Sequence, residues 1–189
     1  GQVACAVAVA EDGDLRAVLE QVSTANVSDA WHRQPSLPGI RPLLPGAHMC
    51  GPAVTCRTYA GDWAKPVEAI DVCAPGDVLV VDACDATPAM WGELATHSAM
   101  VKGLAGLVVW GAIRDTPEIA RLGFPAFSSK VCANAGEPKG FGEINVPISC
   151  AGMAVLPGDL IVGDADGVIA VPAAEAADVL EKTRAHLRK

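Results

Sequence analysis

Two uninterrupted apolar runs constrain this chain most: Val78-Leu79-Val80-Val81 and Gly106-Leu107-Val108-Val109-Trp110. A short apolar run bounded by turn residues reads as a strand buried on both faces. Between the runs lies a helical pattern that starts near Gly92, with Leu94, Val101 and Leu104 as its apolar positions. Strands and helices interleaved in this way lead to an α/β or an α+β fold. Of the 189 residues, 51% are apolar, enough to fill a core, and only 4% are aromatic. The core must therefore be built mostly from Ala, Val, Leu and Ile.

Turn and cap chemistry divides the rest. Asp14 can cap a helix with Leu15, Val18, Leu19 and Val22 on one face, broken by Ser23 and Thr24. A second short helix is expected from Ser28-Asp29 through Trp31. Pro35, Pro38, Pro42, Pro45 and Pro52 make the stretch from Gln34 to Pro52 loop and extended chain. Val54 to Tyr59 alternates as a strand. Pro75-Gly76-Asp77 precedes one buried run, and Pro157-Gly158-Asp159 precedes another, Leu160 to Asp164. The echo reads as two ordinary turn–strand units. After Arg114-Asp115, Thr116-Pro117-Glu118 opens a helix with Pro in its first turn, and Gly123 stops it. Pro125-Ala126-Phe127 resumes extended chain. Val146 to Val155 and Val168 to Val171 are further strands, and a last helix runs from about Ala173 to His186. With no linker or low-complexity segment, residues 1–189 read as one domain.

Composition excludes several functions. The net charge is −8 and the pI about 4.9, with no basic face for nucleic acid. No stretch of about 20 apolar residues is present to span a membrane. Gly1 to Ala10 lacks the basic lead-in of a signal peptide. Seven cysteines, an odd number with no C-x-x-C pair, argue against a structural zinc site. Several sit inside apolar runs, such as Cys73 and Cys150, and read as small buried hydrophobes in a reducing cytoplasm. Asp164, Asp166 and Gly167 lack the other ligands of a calcium loop and read as a turn. No Walker, Rossmann or G-x-S-x-G motif occurs.

Chemistry concentrates in one constellation. Gly92-Glu93-Leu94-Ala95 lies at a helix start, where free backbone N–H groups suit a carboxylate. Arg114 ends the next strand and offers a planar fork for a carboxylate or enolate. Asp115 offers a hard oxygen to a divalent cation. Twenty residues separate Glu93 from Arg114, the length of one helix and one returning strand, so these groups can meet at one rim. Each also has a local reading. Asp115 with Glu118 forms a capping box, Arg114 is a surface charge, and Glu93 suits the helix dipole. His97, one turn after Glu93, is either an acid–base group or a satisfied helix residue.

Taken together, the segments from Gly92-Glu93-Leu94-Ala95-Thr96-His97 to Gly111-Ala112-Ile113-Arg114-Asp115 resemble the signature of the RraA-like aldolases: an acidic residue, twenty residues, then Arg-Asp. Ser23-Thr24-Ala25-Asn26-Val27-Ser28-Asp29-Ala30, Leu122-Gly123-Phe124-Pro125, Asn145-Val146-Pro147-Ile148 and Asp164-Ala165-Asp166-Gly167-Val168 are similar to other parts of that family. The resemblance implies an α/β fold, a single-domain αββα sandwich related to swivelling domains. It implies a lyase that cleaves 4-hydroxy-4-methyl-2-oxoglutarate-type 2-oxo acids to pyruvate and decarboxylates oxaloacetate. Asp115 would hold Mg²⁺ or Mn²⁺, and Arg114 would bind the pyruvyl group and stabilise its enolate. Backbone amides around Leu94 and Ala95, beside Gly92, would hold its carboxylate, and Glu93 would orient water. Family members form trimers or hexamers with sites between subunits. In the aldolase branch a neighbour's C-terminal glutamate completes the site; Glu175 and Glu181 lie in that part of this chain, neither within a motif. The alternative is a non-catalytic RraA-like regulator that binds a ribonuclease or another protein.

Overall fold

The computed structural model describes residues 21–187. In chain order its first elements are α1 (Thr24–Ala30), β1 (Arg41–Pro42), β2 (Met49–Thr58), α2 (Ala64–Val72), β3 (Val78–Ala86), α3 (Glu93–Lys102) and β4 (Gly106–Ile113). There follow α4 (Thr116–Leu122), β5 (Ala126–Val131), β6 (Gly142–Ile144), β7 (Ile148–Cys150), β8 (Met153–Val155), β9 (Leu160–Asp164), β10 (Gly167–Val171) and α5 (Ala176–Leu187).

The apolar runs become the middle of a parallel sheet. Val78 to Val81 of β3 pair with Gly106 to Val109 of β4, and β2 and β5 flank them in the same direction. The strand order is β1-β5-β4-β3-β2-β9-β10, with β1 and β9 antiparallel to their neighbours and β6 pairing with β2. β2 belongs to two surfaces: Met49 to Pro52 pair with β9, whereas Ala53 to Arg57 pair with β3.

Alternation along these strands divides the core into three layers. Leu79, Val81, Leu107 and Val109 pack with Ile70 of α2, Ala99 of α3 and Ile119 of α4. Val78, Val80, Val108 and Phe127 face Ile148, Cys150 and Val155 of the β7–β8 hairpin, and Ile161 and Val168 of β9 and β10. The other faces of β9 and β10, through Leu160, Val162, Ile169 and Val171, meet Val27 of α1 and Val179 and Leu180 of α5. Helices, sheet, sheet and helices follow one another, so the mixed α/β architecture is an αββα sandwich. No helix of the described residues is long and apolar enough to cross a membrane.

Several elements depart from the sequence reading. Ser23 caps the helix that follows it: its Oγ accepts the Asn26 N–H at 3.1 Å, and α1 begins at Thr24 rather than Ser28. The helix expected from Asp14 lies outside the described residues except for Val22, which is buried. β2 starts at Met49, inside the proline-rich stretch, because Pro52 sits where the strand passes from one partner to another. The stretch from Val146 to Val155 is a hairpin turned at Ala151-Gly152, where both residues take positive φ. In α3, Leu94 and Val101 are 82% and 90% exposed, while Thr96 and Ala99 are buried. The helix approaches the sheet on its small residues, and Thr96 accepts the Trp91 indole N–H at 2.9 Å.

Of the described cysteines, Cys73 and Cys150 are buried as their apolar runs implied, whereas Cys84 is exposed. No disulfide links the six described cysteines, and Cys56, Cys73 and Cys150 are buried. Burial pushes the thiols of Cys50, Cys56, Cys73 and Cys150 up to about 12, so they stay protonated and inert.

One buried carboxylate organises the loops beside the sheet. Asp62 Oδ1 accepts the N–H groups of Ala64 (3.1 Å), Lys139 (3.0 Å) and Gly140 (3.1 Å), and Oδ2 accepts that of Phe141 (2.8 Å). Burial opposes its ionisation, but these backbone donors outweigh burial and hold its pKa below the usual carboxylate range. Asp62→Ala leaves these N–H groups without their acceptor and is expected to cost about 3 kcal/mol, measured by urea unfolding at neutral pH. Because the folded pKa is depressed, the ionised group's contribution is complete above the unfolded value and fades as pH falls through the folded one. The stability gap to Asp62→Asn should therefore be flat above about pH 5 and narrow only below about pH 4.

Candidate active site

The residues singled out by spacing meet where β4 ends and α3 begins. α3 and β4 fill the interval between Glu93 and Arg114, so both lie at the C-terminal edge of the parallel strands. Ligands of open α/β sheets bind at that edge. The Arg114 N–H donates to the Trp91 carbonyl at 3.0 Å, and the Met90 N–H donates to that of Ala112 at 3.1 Å. The segment leading into α3 is thereby stitched to the tip of β4.

The two elements share one further bond. Asp115 Oδ2 accepts the Glu93 N–H at 3.1 Å. Asp115 does occupy the N-cap position of α4, and its carbonyl accepts the Ile119 N–H at 3.0 Å. Its side chain makes no capping bond there, and Glu118 pairs with Arg121 at 3.1 Å. The expected capping box is thus replaced by a cap in trans: the carboxylate closes the first turn of α3 instead of its own helix. Its backbone is left-handed (φ 57°, ψ 37°), a conformation that Asp tolerates better than most residues.

Gly92 makes this bond possible. Its backbone is extended, so conformation alone does not demand glycine. Space does, because a Cβ on Gly92 would lie 2.5 Å from Asp115 Oδ2. Sequence reasoning assigned Gly92 to an anion-binding turn and did not foresee this contact; its only signal was a glycine directly before the acidic residue.

The charged groups form a half-open rim. The side chains of Glu93, Arg114 and Asp115 are 41%, 44% and 36% exposed. Arg114 Nε lies 3.6 Å from Asp115 Oδ2, and His97 Nε2 lies 3.6 Å from Glu93 Oε1. Among the described residues, no protein donor reaches Asp115 Oδ1, and the N–H groups of Leu94 and Ala95 meet no acceptor. The rim therefore offers a guanidinium, two helix N–H donors and one free carboxylate oxygen side by side.

No group of three or more His, Cys, Asp or Glu side chains able to hold a metal occurs among the described residues. A closed site of the zinc type is absent from them. A lone hard oxygen on Asp115 fits instead a cation that keeps most of its water, as Mg²⁺ does. Glu175 and Glu181 are engaged elsewhere in this chain: Glu175 accepts the Trp31 indole N–H at 2.7 Å, and Glu181 pairs with Arg184 at 2.9 Å.

The sequence profile of the RraA-like family, described as Aldolase/RraA, matches residues 24–170. This chain belongs to that family. A protein of Halalkalibacterium halodurans, provisionally named 4-hydroxy-4-methyl-2-oxoglutarate aldolase, is 41% identical over 165 residues, covering 86% of this chain and 79% of that protein. A 4-hydroxy-4-methyl-2-oxoglutarate aldolase of Thermus thermophilus is 31% identical over 155 residues, covering 80% of this chain and 93% of that enzyme. The crystal structure of Streptomyces coelicolor RraAS2, an unusual member of the RNase ES inhibitor RraA protein family, matches with a TM-score of 0.80 at 30% identity, covering 94% of this chain and 93% of that one. Aldolases and inhibitors thus share the RraA-like fold, and function must be argued from the rim.

The trans cap can be tested without any assay of activity. In Gly92→Ala the new methyl displaces the Asp115 carboxylate and frees the Glu93 N–H. Its amide should exchange at least about tenfold faster, read by NMR, while the core strands keep their protection. Unaltered exchange at Glu93 would show that the carboxylate does not hold this helix start.

Proposed function

We propose that this RraA-like protein is a divalent-metal-dependent lyase that cleaves 2-oxo acids of the 4-hydroxy-4-methyl-2-oxoglutarate type and decarboxylates oxaloacetate. The observation that carries the reading is the meeting of Arg114, Asp115 and the unaccepted N–H groups of Leu94 and Ala95 at one rim. The names of the aldolase relatives support it.

In this reading Asp115 holds Mg²⁺ or Mn²⁺ through its free oxygen. The bound cation supplies Lewis-acid polarisation of the 2-oxo group. The N–H groups of Leu94 and Ala95, beside Gly92, grip the substrate carboxylate with help from the helix dipole. Arg114 binds the pyruvyl oxygens. In aldol cleavage the 4-hydroxyl gives its proton to the water that Glu93 orients, the C3–C4 bond breaks, and its electron pair forms the enolate of pyruvate as the departing fragment gains a carbonyl. Arg114 stabilises that developing charge with a preorganised fork. Glu93 orients the water that returns a proton to the enolate carbon. Loss of CO₂ from oxaloacetate leaves the same enolate and needs the same groups.

Leu94 stands exposed on α3 beside the rim, and Val101, two turns further along the helix, is exposed as well. That apolar surface supports assembly into trimers or hexamers with the site between copies. The likeness to RraAS2 supports a second reading, a contact regulator of a ribonuclease. The retained Asp115 carboxylate favours the enzyme, because a contact regulator has no need of a metal ligand after the arginine.

The test is pyruvate release, coupled to lactate dehydrogenase, from each substrate with and without Mg²⁺ or Mn²⁺. Metal-dependent release from both is expected. Asp115→Ala should lower it by at least about 100-fold while the protein stays folded, and Arg114→Lys should lose roughly as much, since a point charge cannot replace a fork. Release that survives Asp115→Ala rules out the metal assignment. No release by the folded, metal-supplied native protein leaves the regulator reading.

A further inference from the structure

We propose that Asp85 and Lys130, which lie outside the rim, are positioning residues that hold the tip of β4 and so set the placement of Arg114 and Asp115. Three adjacent strands lose regular pairing at one level just before that tip. The β3–β4 register shifts between Asp82 and Ala86, and the β4–β5 register shifts between Val109 and Ala112. Cys84, Asp85 and Gly111 take positive φ there. Beyond these irregularities β4 runs on through Ala112 and Ile113 and delivers Arg114.

Two ribs flank the tip. On one side, Met90 and Trp91 bond to Ala112 and Arg114 through main-chain atoms. On the other, Lys130 and Val131 pair with Ala112 and Ile113, and the Cys132 N–H donates to the Ile113 carbonyl at 3.1 Å. The first rib springs from Asp85-Ala86 and the second from Ser129-Lys130. A polar clasp joins these two roots across β4. Asp85 Oδ1 accepts the Ser129 hydroxyl at 2.7 Å, and Asp85 Oδ2 lies 2.8 Å from the Lys130 ammonium. The ammonium also donates to the Asp85 main-chain carbonyl, and the Ser129 hydroxyl lies 3.2 Å from the Gly111 carbonyl. Bulges interrupt the ladder that would otherwise fix these strands, so side-chain bonds take over its role. Neither Asp85 nor Lys130 bonds to Glu93, Arg114 or Asp115, so any effect on the rim must pass through the two ribs.

The kinetic part of the test rests on the lyase reading; the exchange part does not. Asp85→Asn and Lys130→Met should each lower kcat for pyruvate release roughly 10- to 100-fold, with KM moving less. The double variant should be no slower than the slower single one, because the pair acts as a unit. Lys130→Arg keeps the charge-assisted bond and should stay within about threefold of the native kcat. Amide exchange over residues 89–93 and 111–115 should quicken in Lys130→Met at an unchanged thermal midpoint. Unchanged exchange over 111–115 overturns the proposal whatever the kinetics. So does a native kcat in both single variants, or a loss of activity that merely follows loss of folded protein and is not restored by Lys130→Arg. Should the native protein release no pyruvate, the lyase reading fails and the exchange result alone decides the clasp.

Discussion

The bond from the Glu93 N–H to Asp115 Oδ2 ties together the two elements on which the site depends. A carboxylate at a helix N-terminus is favourable twice over. It satisfies an orphan donor, worth about 1 kcal/mol in an ordinary cap, and it meets the positive end of the helix dipole. Here the carboxylate comes from another element, so the same bond that starts α3 also sets how the tip of β4 sits against it. Glycine at position 92 is the steric condition for that closeness. Arg114, 3.6 Å from the same oxygen, adds a second positive neighbour and leaves Oδ1 as the oxygen a cation can use.

Much of the fold was legible because its signals are local and strong. The apolar runs at Val78 and Gly106 could only be buried, and they lie in the centre of the sheet. The two Pro-Gly-Asp turns proved alike in detail. Asp77 Oδ2 accepts the Ala74 N–H at 2.7 Å, and Asp159 Oδ2 accepts the Leu156 N–H at 2.8 Å. Gly76 and Gly158 both take positive φ in those turns. Other features were not legible because tertiary contacts decide them. The face of α3 was misread: apolar spacing named Leu94 and Val101, yet Thr96 and Ala99 pack inward because small residues let the helix approach. A single run from Val146 to Val155 hid a hairpin, since Ala151 gives no turn signal of its own.

The site shows the same division. Twenty residues between Glu93 and Arg114 correctly implied that one helix and one strand bring them to a common edge. What spacing could not reveal was which helix the Asp115 carboxylate serves. Local pattern pointed to α4, with Glu118 completing a box, and a left-handed backbone at Asp115 turned the side chain away from that bond. The clasp of Asp85, Ser129 and Lys130 gave no signal either. Its members belong to β3 and β5, and only the sheet order brings them together across β4.

The exposure of the rim links its chemistry to its surroundings. Charges about two-fifths exposed interact through water, which weakens each attraction between them. A group that stabilises a developing enolate is worth far more once water is excluded. Within one chain, the side chains of Arg114 and Asp115 stay 44% and 36% exposed, and Leu94, directly after Glu93 at the same helix start, is mostly bare. Whatever covers Leu94 would therefore bury apolar surface and lower the dielectric around Arg114 and Asp115 in the same event. A fold shared by aldolases and ribonuclease inhibitors can be understood in these terms. Under the lyase reading, the free oxygen on Asp115 is what separates chemistry from recognition, since a protein contact has no need of it.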